Sequence, residues 1–256
     1  MSTFASKRDL SFLTSLPRAH EKLRIFEADL SQPDSFNSII EGCIGVFHVA
    51  HPVIIHDQGY PEDENIKMTM EGTVGILQAC LNSKTVKRVV YTSSPVTVAF
   101  NGEDLDLIDE NTWSDIDFYK SLNLKGTNLY VATKTRTEKA ALEFAEKYGL
   151  DLVTILPTYV VGPFICNVHL PASVHLGLAM IFDKLVDDVA SAHIFLYENP
   201  NARGRSLKDV EGFVRNGRLS SEKLLNSGLS ISMALMICLM ELFNLAKKGV
   251  FSNLHL

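Results

Sequence analysis

Short apolar runs alternate with amphipathic segments between residues 22 and 157, and this alternation limits the possible folds more than any other feature. Continuous apolar runs of this length are typical of strands buried on both faces of a parallel sheet. The segments between them can hold the crossover helices that parallel strands need. We therefore predict an α/β fold with a parallel sheet flanked by helices. The predicted strands are KLRIFEADL (Lys22–Leu30), IGVFHVA (Ile44–Ala50), KRVVYTSS (Lys87–Ser94) and DLVTILP (Asp151–Pro157).

Helices are predicted between and after these runs. Ser31 stands three residues before Asp34, which is the spacing of a capping box, and Pro33 suits the first turn of a helix. Apolar residues recur near one face from Glu62 to Ser83, as in an amphipathic helix. The segments Asn128–Asp151 and Asp187–Gly204 are also predicted to be helical, and the latter ends in a turn.

Composition excludes several classes of protein. The 256 residues carry a net charge of −6, whereas a nucleic-acid-binding protein is expected to be basic. The cysteines form no CxxC pair, so neither a zinc site nor a disulfide framework is predicted, and reduced thiols in the cytoplasm are expected. The first residues, MSTFASKRDL, lack the apolar core of a secretory signal. The four cysteines are Cys43, Cys80, Cys166 and Cys238.

One apolar segment near the C-terminus could suggest a membrane. Leu229 to Met240 carries no charge, but Glu241 interrupts the run before it reaches the length of about 20 residues that a spanning helix needs. A buried or interfacial helix is therefore predicted, and no membrane partner is expected.

Polar residues follow the predicted strands at their carboxyl ends, where parallel sheets bind ligands. They are Asp29, His51, Thr92 to Ser94, and Thr158.

Tyr130 and Lys134 form a candidate pair for proton transfer. Their spacing places both side chains on one face of a helix, one turn apart. A nearby ammonium favours the phenolate, which makes the tyrosine a usable acid for a carbonyl that receives a hydride. Ser94, at the end of a buried strand, could hydrogen-bond the same carbonyl. The alternative interpretations are a solvated helix face and a simple strand-end turn.

The sequence resembles plant reductases of the extended short-chain dehydrogenase superfamily, a group that includes dihydroflavonol 4-reductases, vestitone reductases and cinnamoyl-CoA reductases. The resemblance covers most of residues 7 to 206, and FNGEDLDLIDENTWSD is closest to the vestitone reductase branch. The matching segments are ADLSQPDSF, EGCIGVFHVAHPV, RVVYTSSPVTVAFNG, DENTWSD, YVATKTRTEKAALEFAEKYGLD, PTYVVGPFIC and VDDVASAHIFLYENPNARGR.

The resemblance implies roles for particular residues. Ser94 would be the catalytic serine and Tyr130 the acid, while Lys134 would hold the nicotinamide ribose of NADP (as NADPH) and lower the pKa of Tyr130. Lys7 and Arg8 lie near the basic residues that meet the 2′-phosphate in relatives. The implied cofactor-binding residues are Asp29, Leu30, Val49, Ala50, His51, Thr92, Tyr130, Lys134, Pro157 and Val160.

Other candidates are assigned no such role. His48 is interpreted as a core histidine, and Gly72 and Gly75 are placed inside a helix rather than in a phosphate loop, since no strand directly precedes them. Ala99 stands where dihydroflavonol reductases carry Asn or Asp, which argues against dihydroflavonol as substrate. Many relatives carry Thr or Ser at the position of His51.

The chain also departs from these relatives, which open with a strand, a glycine-rich turn, a helix and a second strand. Here no glycine precedes Gly42. We therefore expect an incomplete Rossmann-type domain at residues 1–162, truncated by its first β-α-β unit, and a reduced substrate-binding region at 163–256. Leu23–Asp29 and Ile44–Ala50 should then lack neighbouring strands, and the diphosphate should be held less firmly.

The C-terminal segment SMALMICLMELFNLAKKGVF has no counterpart in these relatives. Our hypothesis is that it is the family's tail translated out of frame, which sequencing of the coding DNA would decide. Segments are also expected to be missing within AMIFDKLVDDVASAH and after NARGR.

Taken together, these features predict a cytoplasmic, monomeric, NADP-dependent reductase of a ketone on a flavonoid- or phenylpropanoid-like substrate. A catalytically inactive family member is the alternative. A sugar-nucleotide epimerase or steroid dehydrogenase is less consistent with FNGEDLDLIDENTWSD. The expected partner is a small aromatic carbonyl compound, with no nucleic acid and no metal.

Overall fold

The computed structural model describes residues 10–52, 61–103, 105, 107–122, 128–157, 185–208 and 218–219. Several predictions lie outside these residues and remain predictions. They concern Lys7, Arg8, Thr158, Val160, the domain boundary at 162/163, the segment Leu229–Met240 and the C-terminal tail.

The strands of the described residues are β1 (Gly45–His48), β2 (Arg88–Thr92), β3 (Leu107–Ile108), β4 (Leu152–Pro157), β5 (Gly204–Lys208) and β6 (Arg218–Leu219). Four of them form a parallel sheet at the centre of the fold, in the order β1-β2-β4-β5, which confirms the predicted α/β class. The two shortest strands, β3 and β6, pair with each other in a separate parallel ladder.

Seven α-helices and two 3₁₀ helices, Pro33–Phe36 and Pro95–Thr97, accompany these strands in the described residues. The helices are α1 (Ser11–Thr14), α2 (Ala19–Lys22), α3 (Asn37–Ile40), α4 (Glu62–Ser83), α5 (Ile116–Ser121), α6 (Asn128–Tyr148) and α7 (Leu185–Glu198). The first turn of α4 holds three acidic residues, which the helix dipole favours, and the helix is followed by Lys84 in the left-handed conformation.

The core lies on both faces of the sheet. On one face α4 and α6 pack against β2 and β4, where Leu77, Tyr91 and Phe144 belong to one buried cluster. On the other face α7 covers Val90 and Val153. Adjacent residues of β2 thus point to opposite covered faces, which explains the continuous apolar run in the sequence.

Arg88 of β2 links the C-terminal end of α7 to the sheet. Its guanidinium is buried, forms a 2.8 Å ion pair with Asp151, and donates a 2.9 Å hydrogen bond to the carbonyl of Leu196 in the last turn of α7. Further hydrogen bonds reach the carbonyls of Tyr197 and Asn199. A cation at this end of a helix satisfies carbonyls that have no partner within the helix.

The prediction of a strand at Lys22–Leu30 was wrong. Residues 23–28 form no regular element, and the side chains of Leu23, Ile25 and Phe26 are exposed. A strand is stable only when neighbours take its hydrogen bonds, and the described residues place none beside this segment. The capping box is also absent, because the Ser31 N–H donates to the Asp29 carboxylate instead.

Strand β1 differs from its prediction in burial. It was expected to be covered on both faces, yet Phe47 is 45% exposed. The reason is its position at the edge of the described sheet.

Strand β5 was not predicted. Its sequence, GRSLK, is too polar to resemble a buried strand, but its backbone pairs in parallel with β4 along five residues. The structure confirms four predicted elements with closely similar bounds: the helix at Glu62–Ser83, the helix that begins at Asn128, and strands β2 and β4.

In the part of the chain that the structure describes, no helix combines the length and hydropathy that crossing a bilayer requires. The same residues contain no group of three or more His, Cys, Asp or Glu side chains placed to hold a metal ion.

Candidate active site

The candidate site lies at the carboxyl end of β2. The strand ends at Thr92, and Ser94 then adopts an extended backbone before the 3₁₀ helix Pro95–Thr97. The Ser94 side chain accepts a hydrogen bond from the N–H of Val96, and its carbonyl accepts one of 2.9 Å from the Thr97 hydroxyl. These contacts hold Ser94 in one orientation at the sheet edge.

Tyr130 lies in the first turn of α6 and meets Ser94 there. A side-chain hydrogen bond links Tyr130 with Ser94. Each of the two hydroxyls can donate or accept a proton in such a bond, so both can also bond to one further oxygen atom, such as that of a carbonyl. The structure therefore brings together two residues that are far apart in the sequence.

Lys134 follows one turn later on α6 and is only 4% exposed. Its Nζ donates a 3.3 Å hydrogen bond to the carbonyl of Thr92 and lies 5.9 Å from the centre of the Tyr91 ring. Burial lowers the pKa of Lys134 to about 8, and the negative charge of Glu138 opposes this shift. The ammonium is thus poorly hydrated and placed at the strand end.

The pKa of Tyr130 is raised, whereas the resemblance implied that Lys134 would lower it. Loss of hydration is the main cause, and it outweighs the hydrogen bond with Ser94, which acts in the opposite direction. Lys134 donates to the Thr92 carbonyl. The lowering of the Tyr130 pKa by Lys134 stays a prediction.

Two histidines complete the surroundings of this pair. The His51 ring meets the Tyr130 ring edge-on, with centres 6.0 Å apart. Burial, together with the charge of Lys134, lowers the pKa of His51 to about 3 and that of His48 to about 4. His48 is buried against Tyr91 and lies 3.4 Å from the Thr73 hydroxyl, which fits its interpretation as a core residue.

The other implied cofactor residues are spread over the same edge of the sheet. Val49 and Ala50 are exposed just beyond β1, and Pro157 is buried at the end of β4. The Thr92 hydroxyl donates to Nε2 of His193 at 2.7 Å, because Nδ1 of that ring donates to the carbonyl of Val189. This places the Thr92 side chain against α7.

Asp29 and Leu30 belong to the chain segment that packs against α4. The carbonyl oxygen of Leu30 would be 2.6 Å from a Cβ atom at Gly72. The Asp29 side chain is engaged by the N–H of Ser31 at 2.8 Å.

Sequence reasoning missed a buried polar network behind the site. Glu138 and Arg205 form a 3.0 Å ion pair, with the carboxylate fully buried. The sequence could have indicated Glu138, because it follows Lys134 by one helical turn. Arg205 could not be placed, because it lies on the strand that was not predicted.

The residues present fit the nicotinamide-ribose part of NADP. In the described residues, Lys134 Nζ makes one hydrogen bond, so two of its three donors can meet ribose hydroxyls. The exposed surface of Val49 and Ala50 lies at the same strand ends. A glycine-rich turn for the diphosphate is not identified among the described residues.

Known proteins similar in sequence to this chain include plant reductases. Residues 4–180 match the NAD dependent epimerase/dehydratase family. The sequence is 49% identical to vestitone reductase of Medicago sativa over 78% of this chain and 64% of the relative. It is 44% identical to a dihydroflavonol 4-reductase of Zea mays over 75% of this chain and 57% of the relative. The chain thus spans less than two thirds of the length of these curated relatives.

Solved structures show the same fold. The crystal structure of vestitone reductase from alfalfa superposes with a TM-score of 0.76 at 38% identity, covering 95% of this chain and 89% of that one. Gre2 of Candida albicans in complex with NADPH gives a TM-score of 0.59 at 26% identity, covering 70% of this chain and 61% of that one.

Proposed function

Because the chain belongs to the NAD dependent epimerase/dehydratase family, we propose that it is an NADP-dependent oxidoreductase that reduces a ketone on a flavonoid- or phenylpropanoid-like substrate. The family supports oxidoreductase chemistry in general, and the names of its relatives, vestitone reductase and dihydroflavonol 4-reductase, support the substrate class. NADP is supported by the similar fold of a reductase solved with NADPH.

The contact between Ser94 and Tyr130, with buried Lys134 one turn away, is the observation that carries this proposal. NADPH, when bound beside Lys134, would supply a hydride for the carbonyl carbon. Tyr130 gives its proton to the carbonyl oxygen, and Ser94 stabilises the developing negative charge on that oxygen. The product is the alcohol.

Lys134 has two tasks in this scheme. Its unused donors bind the ribose of the cofactor, and its positive charge stabilises the Tyr130 phenolate that remains after proton transfer. A proton from solvent then restores the Tyr130 hydroxyl for the next turnover.

A family member that keeps these side chains but does not hold the cofactor is the competing proposal. The observation that favours it is that residues 1–41 contain no glycine and so supply no glycine-rich turn of the kind that brings the backbone close to a diphosphate.

Titration with NADPH, followed by its fluorescence, separates the two proposals. Saturation at micromolar concentration supports the reductase, whereas no saturation at millimolar concentration supports the inactive family member.

The proposal also includes a domain division at 162/163, a monomeric state and a cytoplasmic location.

Replacing Tyr130 with Phe removes the proton donor and leaves the ring in place. We expect kcat for ketone reduction to fall by about 10²- to 10⁴-fold, which is the usual contribution of a general acid. The dissociation constant of NADPH, measured by the same fluorescence titration, should stay unchanged. Undiminished turnover by Tyr130→Phe would remove Tyr130 from the mechanism.

A further inference from the structure

The buried ion pair between Glu138 and Arg205 connects three elements behind the candidate site. Glu138 lies on α6, one turn beyond Lys134 and two turns beyond Tyr130, and Arg205 lies on β5. The Arg205 Nε donates to the carboxylate at 3.0 Å, and Nη2 lies 3.4 Å from its other oxygen. Thr154 of β4 donates to the same carboxylate at 2.8 Å.

The network reaches Ser94 from both sides. The Ser93 hydroxyl donates a 2.6 Å hydrogen bond to Glu138 Oε2. On the other side, Arg205 Nη2 donates at 2.9 Å to the Thr97 hydroxyl, which itself donates to the carbonyl of Ser94. The residues before and after Ser94 are therefore both tied to one ion pair.

Arg205 is itself held rigidly. Its Nη1 donates to the carbonyls of Glu110 and Thr112 at 2.8 and 2.7 Å, and its guanidinium carbon lies 3.6 Å from the centre of the Trp113 ring. A planar guanidinium with several fixed partners keeps all its hydrogen-bond donors in one orientation, whereas a lysine ammonium in its place could rotate.

We propose that the Glu138–Arg205 ion pair is a positioning device, which holds Ser94 against Tyr130 and supplies the negative charge that faces Lys134. It rests on the proposed function. Glu138 and Arg205 touch neither substrate nor cofactor in this scheme, and they act through Ser93, Thr97 and Lys134. A buried carboxylate with four donors is fully paired, so its geometry is well determined.

Glu138→Gln tests the proposal, since it keeps the size of the side chain and removes its charge. The charge of Glu138 raises the pKa of Lys134, so Lys134 should titrate at a lower pH in the variant than in the wild-type protein. The ¹³Cε resonance of labelled lysine, assigned by its loss in Lys134→Met, measures this midpoint without any turnover. In steady-state assays kcat should fall about 10-fold or more, with KM within about 3-fold of wild type, because the orientation of Ser94 matters in the transition state.

Glu143→Gln is the matched control, because Glu143 is an exposed glutamate of the same helix. It should leave both the Lys134 midpoint and kcat unchanged. A Glu138→Gln protein that only melts at a lower temperature, with the Lys134 midpoint and kcat of wild type, would overturn the proposal and leave a purely structural ion pair.

A second variant covers the case in which Glu138→Gln does not fold. Ser93→Ala removes one hydroxyl and keeps the ion pair, and it should lower kcat about 3-fold or more. Unchanged kcat in Ser93→Ala would contradict the positioning of Ser94. If the wild-type protein reduces no ketone, the proposed function fails, and the Lys134 midpoint of Glu138→Gln still decides whether the pair acts on Lys134.

Discussion

Lys134 carries a charge at a position where hydration is poor. Its residue is 4% exposed, and burial lowers its pKa from 10.5 to about 8. The protonated form is therefore disfavoured in the folded chain, and this penalty is fully present below pH 8 and disappears above pH 10.5. A candidate catalytic residue that destabilises its own fold is a common consequence of function.

Lys134→Met should accordingly stabilise the protein at pH 7. The lowered pKa corresponds to an upper limit of roughly 3 kcal/mol, and loss of the hydrogen bond to Thr92 reduces the gain to about 1–2 kcal/mol. Urea denaturation of both proteins measures the difference. Lys67→Met, at an exposed position of α4, is the control and should change the free energy of unfolding by less than about 0.5 kcal/mol. A less stable Lys134→Met protein would show that desolvation is not the dominant effect.

Among the helices, α4 depends on two glycines for its contact with the preceding chain segment. A Cβ atom at Gly72 would lie 2.6 Å from the carbonyl oxygen of Leu30, and one at Gly75 would overlap Cβ of Pro33. These glycines therefore permit close packing of α4 against residues 30–33. The sequence placed them correctly inside a helix, but the reason for them became visible only in the packing.

Gly72→Ala should destabilise the protein, although alanine normally stabilises a helix by about 1 kcal/mol relative to glycine. The new methyl group meets a backbone atom, which cannot turn away as a side chain could, and the net loss should be about 1–3 kcal/mol. Thermal unfolding followed by circular dichroism measures it. Glu71→Ala, at the exposed neighbouring position, serves as control and should have little effect; a stabilised Gly72→Ala chain would refute the close approach.

For the molecule as a whole, buried ionisable groups make stability depend on pH. His48 is buried and its pKa falls from 6.5 to about 4, with Lys134 contributing. Between these two values the unfolded chain binds a proton that the folded chain does not, so stability is lost as the pH falls below 6.5. The lowered pKa of His51 likewise reduces the stability of the fold as the pH falls.

Replacing His48 with Gln should flatten this dependence. The wild-type protein should lose roughly 3 kcal/mol more than His48→Gln between pH 7 and pH 4, since one pKa unit corresponds to about 1.4 kcal/mol. Urea denaturation at several pH values measures the slopes. The variant keeps His51, so part of the dependence should remain; identical slopes would show that His48 is protonated in the fold without penalty.

Local patterns in the sequence determined the sheet class, helices α4 and α6, strands β2 and β4, and the candidate pair of Tyr130 and Lys134. Periodicity and spacing are properties of short segments, and these elements are buried on the faces that the patterns indicate. The resemblance added Ser94 and the family, and the comparisons confirm the family.

Only the tertiary structure decided the rest, because it depends on neighbours that are distant in the chain. Residues 23–28 have the pattern of a strand, but none of the residues that the structure describes pairs with them. Polar Gly204–Lys208 forms a strand because it pairs with the edge of β4. The raised pKa of Tyr130 and the buried contact of Glu138 with Arg205 likewise arise from desolvation and from elements meeting in space. Spacing along a sequence shows which side chains can share a face, but hydration and partners are set by what packs against that face.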